Sequence, residues 1–214
     1  MEPEFWHDRW QNNAIGFHLA QANPLLTDNL PALDLAAGSR LFLPLCGKTL
    51  DAHWLLAQGF RVAGAELSAL AVEQLFTELG LSPDISEQGG LRRYAGPGIE
   101  IFQGDIFALT AETLGPVDAV YDRAALIALP SEMRRRYVPH LAALTAGVRQ
   151  LLVTLVYDQS LAAGPPFSVS EDEVLALYAA SHQAQLIHRQ ETPDGLKGKH
   201  PAAELVWSLV SRRP

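Results

Sequence analysis

The 214-residue chain has a single cysteine, Cys46. No intramolecular disulfide can form, and a reducing cytoplasm fits. No apolar run approaches the roughly 18 residues that a membrane-spanning helix needs. The first residues, Met1–Asp8, are acidic and aromatic, unlike a secretion signal. Repeats of 20–50 residues and low-complexity tracts are absent. Charged residues make up only 19%, against 48% hydrophobic, which is a globular balance. The net charge is −8, without the basic excess of a general nucleic-acid binder. Nothing in the composition asks for more than a monomer with a small-molecule partner.

Several chemical signatures are also missing. Gly47-Lys48-Thr49 looks like the end of a phosphate loop, but the position five residues before Gly47 is Phe42, not glycine. The backbone there cannot curl around a triphosphate. No G-x-G-x-x-G turn follows an expected strand, so a pyrophosphate cradle is lacking. The seven histidines show no H-E-x-x-H or Cys/His spacing, which argues against a metal site. No serine stands in a G-x-S-x-G elbow. Cys46 has no recognisable Cys–His–Asn set around it and reads as a packing residue.

What is present is alternation of strand and helix signals. Apolar runs at Leu41–Leu45, Arg61–Glu66, Ile99–Gln103, Val117–Asp122 and Gln150–Tyr157 read as strands. Helices are expected over Thr49–Gln58, from the cap Ser68 to Leu79, over Ser131–Leu144 with a split at Pro139, and over Val174–Ser181 behind Ser170. Residues 81–98 read as a loop. The trio Arg134–Arg136 reads as a solvated face. The last two strands, Gln185–Thr192 and Glu204–Val210, have no helix between them and must be antiparallel neighbours. The order predicts an α/β domain: seven strands, mostly parallel, helices on both faces and a closing hairpin. Over residues 5–20, Trp6, Trp10, Asn13 and Phe17 share one face of an expected helix, either core or an aromatic lid. The expected division of 1–214 is one domain: a lid segment, 1–35, and a sheet core, 36–214.

Ligands of open α/β sheets bind outside the carboxyl ends of the strands. Glu66 ends the second strand, 19 residues after Gly47, where a carboxylate can accept hydrogen bonds from ribose hydroxyls. Asp105 ends the third, within reach of an adenine edge, and Asp122-Arg123 ends the fourth. A ribose-reading acid without a phosphate cradle suits a nucleoside cofactor such as S-adenosylmethionine. The competing readings are a nicotinamide-dependent oxidoreductase and a non-catalytic S-adenosylmethionine-binding module.

Several motifs then coincide along the chain: Phe5–Trp10 with Gly16-Phe17-His18, Phe42–Lys48 (FLPLCGK), Gly64–Ser68 (GAELS), Asp122–Leu126 (DRAAL) and Gly164–Phe167 (GPPF). Together they resemble the thiopurine S-methyltransferase family in its bacterial form. The resemblance implies the seven-stranded class I S-adenosylmethionine-dependent methyltransferase sheet. It also implies S-methylation of aromatic or heterocyclic thiols, with selenium or tellurium species and metalloid resistance as extensions. Trp10, Leu45, Glu66 and Arg123 are implied at S-adenosylmethionine, Asp105 and Ile106 at its adenine, and Phe17 between cofactor and acceptor. Arg123 is the implied anion-positioning residue, with no general base assigned. In animal relatives a basic residue of the last long loop is implicated at the acceptor; here that loop carries Lys197 and Lys199.

Overall fold

A computed structural model describes residues 3–193, 195–196 and 198–212. Nine strands form one sheet: β1 Arg40–Pro44, β2 Arg61–Glu66, β3 Asp84–Gln88, β4 Leu91–Gly96, β5 Ile99–Gln103, β6 Ala119–Arg123, β7 Gln150–Tyr157, β8 His182–Glu191 and β9 Ala202–Ser211. Their order is β3-β4-β5-β2-β1-β6-β7-β9-β8. The pairs β5–β2, β2–β1, β1–β6 and β6–β7 are parallel, and β7–β9 and β9–β8 antiparallel. All seven expected strands are therefore present, with the closing hairpin. The chain runs outward from β1 through β2 to β5, then returns to the other side of β1 as β6. That reversal creates a crevice at the carboxyl ends of β1 and β6.

Strand alternation divides the core into two layers. Phe42, Ala63, Val120, Leu152 and Trp207 point to one face, where they meet Tyr137 and Leu141 of α6 (Ser131–Leu144). Leu41, Leu43, Val62, Ile101 and Val206 point to the other, against Leu55 of α3 (Leu50–Ala57) and Leu75 of α4 (Ala69–Glu78). A sheet buried on both faces explains why its strands read as unbroken apolar runs. Side-chain caps start the helices: Thr49 accepts from Asp51 N, Ser68 from Ala71 N, and Ser170 from Glu173 N ahead of α7 (Glu171–Tyr178).

Four expectations need correcting. Residues 81–98 are not a loop: β3 and β4 form an antiparallel hairpin on β5. Its turn is Gly89-Gly90, both with positive φ (61° and 79°), as a two-residue turn requires. The first helix, α1 (Pro3–Gln11), does not run to residue 20, because the backbone reverses at Asn13, φ 50°. Pro139 does not split α6. The bond it removes lies on the solvent side, where Arg135 and Pro139 are both exposed and water can serve the orphaned carbonyl. Finally, the arginine trio is not uniformly solvated. Arg134 is buried, donating to both oxygens of Glu173 (2.8 and 3.1 Å) and to Leu129 O.

Asp122 is fully buried in the α6 layer, accepting from Tyr137 Oη at 2.7 Å and Leu126 N at 3.2 Å. Burial lifts its carboxyl from 3.8 to about 6, against the pull of these donors. Between those values the folded protein binds the proton more tightly than the unfolded chain. Its contribution to stability is thus present below about pH 4 and lost as pH rises through 6. At about 1.4 kcal/mol per tenfold step in proton affinity, the loss is on the order of 3 kcal/mol. Urea denaturation from pH 4 to 7.5 should show this decline in the wild type and a flatter profile in Asp122→Asn. Parallel profiles would rule the assignment out.

Candidate active site

The reversal at the strand ends opens a cavity of about 480 Å³, inside the range of about 300–1,000 Å³ usual for small-molecule sites. Its first wall is the turn after β1. Leu45 takes a left-handed backbone (φ 47°), Cys46 N donates to Ala65 O at 3.0 Å, and Gly47 turns with φ 55°. Glu66 fastens this turn. One carboxylate oxygen accepts from Gly47 N (2.7 Å) and the other from Ser68 N (2.8 Å). Burial pushes the Glu66 carboxyl up, and the backbone donors of Ser68, Gly47 and Leu67 oppose the rise. An ionised carboxylate offers about four acceptor positions, so these backbone bonds do not exhaust it.

The neighbouring residues continue the lining of the cavity. Asp105 is exposed at the end of β5, one oxygen accepting from Phe107 N at 3.0 Å. Ile106 is buried, and its carbonyl accepts from His140 Nε2. Cys46 packs on Gly64, where even a Cβ would lie 2.8 Å from its Sγ. Burial and then the nearby Glu66 charge push its thiol well up, which disfavours the thiolate. Lys48 is paired with Glu78 at 2.8 Å, away from any phosphate role.

The cover is aromatic, but not as one helical stripe. After the reversal at Asn13, Phe17 returns to α1 edge-to-face, 6.0 Å from Trp6 and 5.7 Å from Trp10 between ring centroids. Trp10 is buried over the first wall; a Cβ on Gly47 would stand 3.0 Å from its ring. Arg123, at the end of β6, donates from Nη1 to Phe17 O at 3.1 Å and so ties the cover to the sheet. Its neighbour Ala124, like Leu45, is a non-glycine residue with positive φ (71°).

Trp10, Phe17, Leu45, Glu66, Asp105, Ile106 and Arg123 all line this one cavity. Asp122 does not; strand alternation sends it to the opposite face. Several lining residues escaped the sequence reading. Tyr121 and Asp51 meet at 3.1 Å, and Asp51 also accepts from Asn23 N at 2.7 Å. Glu204 enters from β9, and Arg136 lies over the Phe107 ring at 4.9 Å from its centroid. They come from separate segments and form no local motif. His18 also lines the cavity, its imidazole pulled down by burial and by Lys48. Of the two lysines in the last long loop, Lys197 lies outside the described residues. Lys199 lines a separate, shallow concavity with Thr192, Gly195 and His200. Among the described residues no group of three metal-ligating side chains occurs, and no helix is long and apolar enough to cross a membrane.

Comparison with known proteins gives this geometry its context. The family model described as thiopurine S-methyltransferase matches residues 1–207. A thiopurine S-methyltransferase of Xanthobacter autotrophicus is 58% identical over 98% of this chain and 99% of its own. One from Gluconobacter oxydans is 51% identical over 98% and 96%. Among solved structures, an N1-methyltransferase of Burkholderia thailandensis, with bound 1,6-didemethyltoxoflavin and S-adenosylhomocysteine, superposes with a TM-score of 0.66. It covers 97% of this chain and 87% of its own at 14% identity, a likeness of fold. A methyltransferase from Thiobacillus denitrificans gives 0.62 over 96% and 98% at 15% identity. The sheet is thus the class I S-adenosylmethionine-dependent methyltransferase fold, extended by β3 and β4, and the chain belongs to the thiopurine S-methyltransferase family.

Proposed function

We propose that this protein transfers a methyl group from S-adenosylmethionine to the sulfur of aromatic or heterocyclic thiols such as thiopurines. Selenium and tellurium nucleophiles of similar softness belong to the same class. One observation carries the reading. A single covered cavity joins a ribose-reading carboxylate to an arginine at the neighbouring strand end. The residues fit the cofactor. Glu66 keeps acceptor capacity for ribose hydroxyls, Leu45 and the Gly47 turn supply a wall, and Asp105 and Ile106 flank the adenine end. Trp10 closes over the turn, and Phe17 stands between the cofactor and acceptor ends.

Bound there, S-adenosylmethionine supplies an activated methyl group on a sulfonium sulfur. The protein's work is alignment and exclusion of water. Arg123 spends one donor on Phe17 O, and its planar guanidinium has others for an anion: the methionine carboxylate or the thiolate acceptor. An aromatic thiol is largely ionised near neutrality, so no residue is assigned as general base. Trp6, Trp10 and Phe17 form the lid, and residues 1–35 serve as the lid segment of a single domain whose sheet core is 36–214. A monomer acting on small molecules in the cytoplasm, away from nucleic acid, accords with the acidic composition and lone cysteine.

Calorimetry should show S-adenosylhomocysteine binding and none by NAD. Glu66→Ala should weaken that binding roughly a hundredfold, as expected for losing hydrogen bonds to a charged group. Binding of NAD instead, or methyl-donor binding without turnover of any thiol, would favour the oxidoreductase or the non-catalytic module. Gly47→Ala must place a Cβ against Trp10 in a left-handed backbone. It should cost about 1–2 kcal/mol in denaturation and displace the lid, reducing cofactor affinity alongside Trp10→Ala. Unchanged affinity in both variants would remove the lid from the mechanism.

A further inference from the structure

The cavity has two halves set by strand order. Leu45, Glu66 and Asp105 occupy the ends of β1, β2 and β5. Arg123, Val153, Leu155 and Glu204 lie over β6, β7 and β9 on the other side of the reversal. Register places Arg123 beside Val153 and Val153 beside Val206, while Leu155 sits beside Glu204. Opposed residues share a face of the sheet, so Arg123 and Glu204 look into the same cavity. They are two strands apart laterally and two residues apart along the strands. At the usual strand spacing and rise, their Cα atoms are about 12 Å apart. The space around both side chains belongs to the one cavity.

The cavity carboxylates are not equivalent. Both oxygens of Glu66 hold backbone N–H groups, and both oxygens of Asp51 are taken by Asn23 N and Tyr121 Oη. Asp105 caps its own turn. Glu204 accepts from Gln190 Nε2 at 3.1 Å through one oxygen and takes part in none of the ion pairs among the described residues. Gln190 holds the carboxylate in place and leaves its second oxygen for a ligand.

We propose that Glu204 is a specificity-determining residue that reads the edge of the acceptor opposite its sulfur. It accepts a hydrogen bond from a ring N–H or amino group and rejects acceptors that carry an anionic group there. This rests on the acceptor reading above. The acceptor half is polarised along one axis, with Arg123 drawing the anionic sulfur to the seam with the cofactor half and Glu204 holding the far edge. A heterocyclic thiol with an N–H remote from sulfur satisfies both ends. A thiol with a remote carboxylate satisfies one and opposes the other. Glu204 does not touch the reacting atoms, so its effect falls on which acceptor binds.

The test uses the full chain saturated with S-adenosylhomocysteine and three probes: thiophenol, 4-aminothiophenol and 4-mercaptobenzoate. Binding is measured by calorimetry, so the readout does not depend on turnover. Wild type should bind the amino thiol at least about tenfold more tightly than the carboxylate thiol, as a charged hydrogen bond implies. In Glu204→Gln that ratio should fall to within about threefold, with thiophenol and S-adenosylhomocysteine affinities held within about twofold. Glu204→Asp, which keeps the charge, should keep most of the preference. An undiscriminating wild type, or a ratio unmoved in Glu204→Gln, overturns the subsite even if methyl transfer to thiophenol proceeds. Failure of all three thiols to bind overturns the acceptor reading and the subsite together.

Discussion

The arrangement depends on one buried carboxylate between two turns. Glu66 takes the backbone N–H of Gly47 with one oxygen and that of Ser68 with the other. Leaving water disfavours its charge, and fixed backbone donors replace the lost hydration. Those bonds join the end of β1 to the start of α4, so the Gly47 turn has a single position. Trp10 rests on that turn, Phe17 rests on Trp10, and Arg123 holds Phe17 to the far side of the crevice. A ring of contacts thus begins and ends at strand tips, with the cavity inside it.

The same ring accounts for the backbone irregularities. Leu45 and Ala124 both adopt left-handed conformations that side chains disfavour, one after β1 and one after β6. Each costs on the order of 1–3 kcal/mol. They flank the strand pair where the chain reverses, which is where a sheet must release its ladder to open a crevice. The strain is offset by what lies behind it: a β1 buried on both faces and Ala125 and Leu126 packed against α6. A rigid sheet lets the protein hold two turns in unfavourable geometry and keep the ligand wall fixed.

How far the sequence reveals this follows from where the information sits. Buried parallel strands announce themselves because both faces are apolar, and Glu66 because a lone acid closes such a run. The β3–β4 hairpin was missed because every residue of β3 is exposed, and its composition carries no alternation. Only the Gly89-Gly90 pair marked it. Trp6, Trp10 and Phe17 were rightly grouped but for the wrong geometrical reason: a reversal at Asn13, not helical spacing, brings Phe17 to the others. The burial of Arg134 depends on Glu173, 39 residues away, and the placement of Glu204 on the pairing of β9 with β7. Long-range partners leave no local trace, whereas caps and turns do.

The pair Asp122-Arg123 shows how alternation turns adjacent charges to separate ends. In sequence they look like a self-neutralising couple. On a strand, neighbours face opposite layers, and Asp122 goes under the sheet to Tyr137 and the turn at Leu126. Arg123 goes over it, to the cavity and to Phe17 O, a neutral partner. Asp51, the acid from α3 on that side, is already occupied by a backbone N–H and a phenol. The guanidinium's hydrogen-bond partner is thus a neutral carbonyl, and its remaining donors are at the cavity wall. Alternation thus gives the cavity a cation from a dipeptide whose acid is buried under the sheet.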